Sequence, residues 1–392
     1  MRVVVAPDKF KGSLGAADVA AALAAGVRDV LPEAQCVLVP MADGGDGTVE
    51  AFLAGGAQAR RLTVSGPLGA PVEAEYARAG ELAAIEMAAA SGLALPGPRN
   101  ARRATTRGTG ELLRDALDGG ATRIVLGIGG SATTDGGAGA LAALGARFLD
   151  ASGTELDPTP EALARLERVD LSGFETRLLA VGADAAGSSD GPASSSACAV
   201  DLAVACDVDN PLLGPHGAAA VYGPQKGASA DDVAFLDGVL ARLADALAAA
   251  GARELRDVPG AGAAGGLGWA LASVCGARLE RGVVLVAAAR GLAEALRGAD
   301  LCLTGEGRID VQTLHGKVVA GVADVARAAG VPVIAFGGSV DPAAEAALRA
   351  RGVVCVPTVP GPLGLDTAMH PATAAANLRA AAARVAALRL LR

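Results

Sequence analysis

Three short strings combine glycines with acids and hydroxyls in a pattern suited to holding phosphate or a metal ion. They are Asp43-Gly44-Gly45-Asp46-Gly47-Thr48, Gly127-Ile128-Gly129-Gly130-Ser131-Ala132-Thr133-Thr134-Asp135-Gly136-Gly137 and Gly305-Glu306-Gly307-Arg308-Ile309-Asp310. Each follows an apolar stretch and precedes a helical pattern, so each belongs at the carboxyl end of a strand, where open α/β sheets bind ligands. Glycine lets the backbone come close to an anion, and the free N–H groups of a following helix can cradle phosphate. One such loop alone is an ordinary strand-to-helix turn; three that all carry carboxylates point to a ligand. Gly127-x-Gly129-x-x-Ala132 also fits a dinucleotide fingerprint, and Asp150 lies 23 residues after Gly127, near the roughly 20 expected of a ribose-binding acid. A dehydrogenase is therefore in competition, although hydride transfer has no use for so many loop carboxylates, whereas Mg²⁺-dependent phosphoryl transfer does. No G-x-x-x-x-G-K-S/T string occurs, which excludes a P-loop enzyme.

Other positions carry charge at predicted strand ends. Pro7-Asp8-Lys9-Phe10-Lys11-Gly12-Ser13 closes the first strand. Its two lysines and Asp8 suit an anionic substrate or a solvated turn equally, and Ser13 is expected to N-cap the next helix. Cys206-Asp207-Val208-Asp209-Asn210-Pro211 sets Asp207 and Asp209 side by side at i, i+2 of an extended chain. That pair reads either as a metal or general-base site or as two turn-forming residues. Gly223-Pro224-Gln225-Lys226-Gly227 presents one cation on a turn. Lys317 stands near a helix start, where the macrodipole disfavours a cation, so it is read as serving a ligand.

The elements that must position these residues alternate along nearly the whole chain. Short β-branched runs at 2–6, 36–39, 123–127, 202–206, 301–304, 331–336 and 353–356 read as strands. Helical patterns lie at 16–31, 111–117, 231–250, 317–329 and 343–351. Strands apolar throughout, alternating with helices, indicate an α/β protein with mostly parallel sheets covered on both faces. Residues 72–78 and 82–86, joined at Ala79-Gly80, read instead as an antiparallel pair. The chain is expected to leave its first sheet there and return near Asp300, so that one domain is inserted in the other. Residues 182–197 are rich in Gly, Ser and Ala without periodicity and read as a flexible surface loop.

Composition sets the bounds. The 392 residues suggest two to three domains, at about 150 residues each, or one large body. With 52% apolar and 19% charged residues the chain can bury a core. A formal charge of −8 argues against nucleic acid or an anionic membrane as partner, and leaves small anions open to a few local cations. Apolar runs reach about seven residues (283–289), against the roughly 20 that span a bilayer. The six cysteines form no C-x-x-C pair and the three histidines are far apart, which fits reduced thiols in the cytoplasm better than disulfides or a zinc site.

In order along the chain, nine strings resemble the bacterial glycerate kinase family, of the type that includes the glyoxylate- and glucarate-pathway glycerate 2-kinases. They are APDKFKGSL (6–14), ADGGDGT (42–48), EMAAASGL (86–93), GTGELL (108–113), GIGGSATTDGGAGAL (127–141), ACDVDNPLLG (205–214), VYGPQKGA (221–228), GAGAAGGLG (260–268) and TGEGRIDVQTLHGK (304–317). The resemblance implies two different α/β domains, one inserted into the other, with the active site in the cleft between them. We place a Rossmann/flavodoxin-like domain at 1–64 plus 296–392 and the inserted domain at 65–295. It also implies transfer of the γ-phosphoryl group of ATP, with Mg²⁺, to D-glycerate, giving 2-phosphoglycerate, in a monomer or homodimer. Catalytic roles would fall to Asp207, Asp43, Lys11 and Arg308, and substrate contacts to Asp8, Lys9, Ser13, Asp209 and Asn210. Gly129, Gly130, Ser131, Thr133, Lys226 and Lys317 would meet nucleotide phosphates, and Glu306, Asp310 and Asp135 the metal. Two positions depart from the family pattern: Lys9 stands where many relatives have Ser, and Asp46 where many have Glu. The alternatives are a dehydrogenase using the Gly127 loop and a non-catalytic sensor of glycerate or nucleotide.

Overall fold

The computed structural model describes residues 1–179 and 200–388; the segment read as a flexible loop, 182–197, lies outside them. The chain folds as two compact units, residues 1–57 with 281–392 and residues 58–280. The junctions fall at 57/58 and 280/281 rather than at 64/65 and 295/296. The first differs because Gln58–Ser65 is a strand pairing along its whole length with Pro71–Ala79. The second differs because Gly282–Ala289 and Leu292–Leu296 are helices of the first unit.

The first unit carries a five-stranded, wholly parallel sheet. Its order is Gln35–Leu38, Arg2–Val5, Leu301–Ile309, Val333–Val340, Val353–Pro357. Numbered along the chain within this unit, the order is 2-1-3-4-5, the flavodoxin-like winding. Its direction reverses between Arg2–Val5 and Leu301–Ile309, with Val3 opposite Leu301 and Val5 opposite Leu303. Val3, Val4, Val5, Cys302, Leu303, Ala335 and Phe336 are fully buried, as strands covered on both faces require. On one face helix Ala16–Val30 packs against helix Pro371–Ala387, contributing Val19, Leu23, Val27, Leu378 and Ala382 to the core. Elsewhere in the unit Val283 of helix Gly282–Ala289 seats against Gly321 of helix Val318–Ala328.

The second unit is built on a six-stranded mixed sheet, ordered Arg278–Glu280, Asp201–Ala205, Arg123–Gly127, Leu82–Glu86, Pro71–Ala79, Gln58–Ser65. The first four strands are mutually parallel. Pro71–Ala79 runs antiparallel to both its neighbours; its pairing with Leu82–Glu86 is the one expected from sequence. Its core includes Tyr76, Ile85, Leu112, Ile124, Leu141, Leu202, Leu240 and Leu267. A separate two-stranded ribbon pairs Arg147–Leu149 with Arg168–Asp170. The chain is an α/β protein with mostly parallel sheets.

Two helical glycines with opposite surroundings give a test of this packing. A Cβ on Gly26 would stand 2.1 Å from the Arg379 carbonyl oxygen and 2.9 Å from the Ala382 Cβ, whereas one on Gly238, in helix Ala230–Ala249, would meet nothing within 4 Å. Gly238→Ala is therefore expected to stabilise by up to about 1 kcal/mol through helix propensity. Gly26→Ala must force two helices apart and is expected to destabilise by about 1–3 kcal/mol. Urea unfolding followed by circular dichroism reads both; stabilisation by Gly26→Ala would contradict the helix pairing.

Candidate functional site

Asp8 and Asp43 lie in the loops after strands Arg2–Val5 and Gln35–Leu38, whereas Glu306, expected in a loop, lies within strand Leu301–Ile309 opposite Gly337, beside the point where the first sheet reverses. Such reversal points are where open α/β sheets place ligands. The first loop is tied to the neighbouring strand: the Ala6 N–H donates to the Leu303 carbonyl at 2.7 Å and the Asp8 N–H to the Gly305 carbonyl at 2.9 Å. The Thr304 hydroxyl donates to the Ala6 carbonyl at 2.8 Å. The Met41 N–H donates to the Pro7 carbonyl at 2.9 Å, holding the Asp43 loop alongside. Gly47, at φ +94°, turns that loop into helix Thr48–Ala54, a conformation an L-residue would adopt only with strain.

The electrostatics of this cluster are unusual. Burial pushes the Asp8 carboxyl up to about 7; the negative charges of Asp43 and Glu306 push the same way, against the Lys9 N–H and ammonium. Glu306 is 5% exposed, and burial, with Asp310 and Asp43, raises it to about 6 against the Thr313 hydroxyl and Lys317. Thr313 donates to Glu306 Oε1 at 2.6 Å and accepts the Asp310 N–H at 3.0 Å. Asp310 in turn accepts the Gln312 N–H at 2.9 Å and pairs with the exposed Arg308 at 3.2 Å. Lys9 pairs with the carboxylate and the carbonyl of Asp46. Like charges crowded in a partly buried site favour a proton or a bound cation. A carboxyl near 7 also suits a general base at neutral pH. Among the described residues no three His, Cys, Asp or Glu side chains are grouped closely enough to hold a metal by themselves.

In the second unit the Gly127 loop lies between the carboxyl ends of two parallel strands. The Leu93 N–H donates to the Gly130 carbonyl at 2.9 Å and the Ala132 N–H to the Ser91 carbonyl at 2.8 Å. Gly129 and Gly130 are exposed and Ser131 is nearly buried. Two expectations are corrected here. Asp135, read as a metal ligand, is fully buried. It accepts the Thr106 N–H at 2.7 Å, the Thr106 hydroxyl at 2.8 Å and the Gly139 and Gly137 N–H groups at 3.0 and 3.2 Å. Protein donors occupy its oxygens, so it anchors the loop to the N-terminus of helix Ala138–Ala143. Lys226, read as a turn cation for phosphate, is 1% exposed and donates to the Thr133 carbonyl. Burial lowers its ammonium to about 7 against the charge of Asp135, which makes it an internal strut.

Other predicted residues are placed as follows. Ser13 does not cap the first helix; Gly15 stands at the N-cap, and the Ser13 hydroxyl is buried with no partner among the described residues. Lys11 is exposed, and Lys317 occupies the N-cap position of helix Val318–Ala328 within reach of Glu306. Asp207 and Asp209 are exposed after strand Asp201–Ala205. Asn210 accepts the Tyr222 hydroxyl at 2.6 Å and donates to the His216 carbonyl at 2.9 Å, organising its own loop. Within the first unit, then, Asp8, Lys9, Asp43, Glu306, Asp310 and Lys317 come together. Thr313, which holds Glu306, was missed, although the Asp310-x-x-Thr313 spacing of a capped turn could have marked it. Thr106, the main partner of Asp135, carries no such signal.

The dinucleotide reading also fails on geometry. After Gly127 no helix begins before Ala138, so the loop lacks the helix N-terminus that the fingerprint needs. Asp150 follows a strand of the separate ribbon and caps its own turn, accepting the Ser152 and Thr154 N–H groups at 2.9 and 3.0 Å.

The model of the glycerate kinase family matches residues 3–390. The chain belongs to the glycerate kinase family. It is 45% identical to a glycerate kinase of Bacillus subtilis (strain 168), over 95% of this chain and 94% of that protein. A glycerate 2-kinase of Escherichia coli (strain K12) is 47% identical over 86% and 85%. A crystal structure assigned to glycerate kinase 2 of Salmonella typhimurium LT2 matches with a TM-score of 0.83 at 41% identity, covering 100% of this chain and 98% of that one. Lys9 and Asp46 are partners in one ion pair.

The raised carboxyl gives a pH signature in the ligand-free protein. Asp8 moves from 3.8 to about 7 on folding, so across that interval the folded state holds a proton the unfolded chain has lost. Stability from this group is thus greatest below about pH 4, falls as pH rises to about 7 and then levels. Asp8→Asn removes the group, and its stability relative to the parent is expected to climb over that window in urea titrations at fixed ionic strength. Parallel pH curves for the two proteins would show that Asp8 titrates as an ordinary carboxyl.

Proposed function

We propose that the protein transfers the γ-phosphoryl group of ATP to a hydroxyl of D-glycerate, giving 2-phosphoglycerate and ADP, in the cytoplasm where ATP is supplied. The observation that carries this reading is the carboxylate cluster of Asp8, Asp43 and Glu306 at the sheet reversal, in a chain of this family. In the transfer the glycerate oxygen bonds to the γ-phosphorus, the bond from that phosphorus to the β-bridging oxygen breaks, and the hydroxyl proton must be accepted. Asp8, poised near 7, is the group best suited to accept it, in place of Asp207 or Asp43. Lys9, Lys11, Arg308 and Lys317 supply positive charge for the glycerate carboxylate and for phosphate oxygens. In the second unit the exposed backbone of Gly129 and Gly130 suits phosphate oxygens.

The residues present fit Mg²⁺. The hard oxygen donors of Asp43 and Glu306, with Asp310 beside them, would hold it, and the lack of a complete protein ligand cage among the described residues agrees with an ion that binds through one or two carboxylates, water and phosphate. When bound, the ion would supply charge neutralisation on the phosphates. Thr313 keeps Glu306 oriented.

ADP release with D-glycerate and MgATP, with the product read through enolase, tests the reaction and its regiochemistry. Signal through enolase is expected, and none through phosphoglycerate kinase, which reports the 3-phosphate. Asp8→Asn is expected to lower kcat by roughly 100- to 10,000-fold, the range for loss of a general base. An unchanged kcat in Asp8→Asn, with a large loss in Asp207→Ala, would return the base to Asp207.

A further inference from the structure

The second unit contains a cavity of about 180 Å³ between the turn that follows strand Gln58–Ser65 and the segment after Ser91. Its walls include Leu68, Val72, Leu93, Leu95, Pro96 and Ala132. Leu68 is 40% exposed and Leu93 and Leu95 are half-buried, so apolar surface is left facing an open slot. Leaving such surface wet forgoes about 25 cal/mol per Å², a cost that a ligand seated there would recover.

We propose that this cavity takes the purine ring of ATP. The inference rests on the kinase reading above and assigns one part of the nucleotide to one place. Size supports it, because pockets for whole drug-sized ligands run roughly 300–1000 Å³, so a slot of about 180 Å³ accommodates a single ring system. Chemistry supports it as well. Glycerate is a small hydroxy acid with no apolar face, and Arg99, the cation on the cavity wall, already donates to the Gln225 carbonyl at 2.9 Å. Position is the third argument. The cavity lies at the carboxyl ends of the parallel strands Leu82–Glu86 and Arg123–Gly127, and Leu93 and Ala132 on its wall are hydrogen-bonded to the Gly130 and Ser91 carbonyls. A ring held by Leu68, Leu93 and Leu95 would direct its ribose and phosphates toward the exposed Gly129-Gly130 backbone.

Adenosine, which lacks phosphates, probes the cavity directly in the full chain by calorimetry or saturation-transfer NMR. Ala132→Leu fills the slot, and Ala70→Trp, at an exposed wall position, blocks it with little risk to folding. Adenosine is expected to bind the parent, to weaken by about tenfold or more (1.4 kcal/mol) in either variant, and KM for ATP is expected to rise in parallel while KM for D-glycerate holds. Absence of adenosine binding in the parent, or unchanged adenosine binding and KM for ATP in a folded Ala70→Trp, overturns the assignment. Failure of the parent to release ADP with D-glycerate would instead overturn the kinase reading, which the adenosine titration does not test.

Discussion

Crowding of three carboxylates at one sheet edge is the constraint from which the first unit's chemistry follows. Asp8, Asp43 and Glu306 repel one another, and burial withholds the water that would screen them. They are brought together by the parallel pairing of Arg2–Val5 with Leu301–Ile309 and by the backbone bonds that strap the Asp8 and Asp43 loops to those strands. The winding order decides that these strands are neighbours although nearly 300 residues separate them in the chain. The core of Val3, Leu303 and Phe336, with the helix pair against it, holds the charges where they are. An open site with the same residues on mobile turns would hydrate Asp8 and Glu306 and return them to their ordinary range.

Much of this was legible in sequence, for reasons that can be traced to residues. Strands such as Arg123–Gly127 and Val353–Pro357 are short, apolar and bounded by glycine or proline, so their period and ends are fixed locally. The antiparallel Pro71–Ala79 and Leu82–Glu86 declared itself through alternation around Ala79-Gly80. Gln58–Ser65 carries no such signal: Gln58 is polar, Arg60 and Arg61 are charged, all three are exposed, and only pairing with Pro71–Ala79 makes it a strand. Ser13 failed as a cap because the chain makes one more turn, closed by the Ser13 and Leu14 N–H bonds to the Phe10 carbonyl, before the helix begins. Which acids matter was the least legible part. Asp8, Asp135 and Asp207 are each an aspartate after a strand, and nothing in their immediate sequence ranks them.

The ranking comes from what surrounds each carboxylate once the chain is folded. Asp135 and Asp8 are both buried acids with raised pKa values, and a threshold on the shift alone would class them together. Asp135 is ringed by donors: two backbone N–H groups of its own loop, the N–H and hydroxyl of Thr106, and the charge of Lys226 nearby. Every interaction its charge could want is already supplied by the protein, so a ligand has nothing to add, and removing the acid would leave those donors orphaned. Asp8 accepts the N–H of Lys9 at 2.7 Å and is near the Lys9 ammonium, but burial with the charges of Asp43 and Glu306 outweighs both. The protein supplies it with more repulsion than attraction, where it supplies Asp135 with partners. A buried charge that is satisfied internally stabilises a loop; one that is opposed internally can be satisfied only from outside, by a proton or a cation. By that distinction Asp8 is left open to a ligand, while Asp135 is engaged within its own loop.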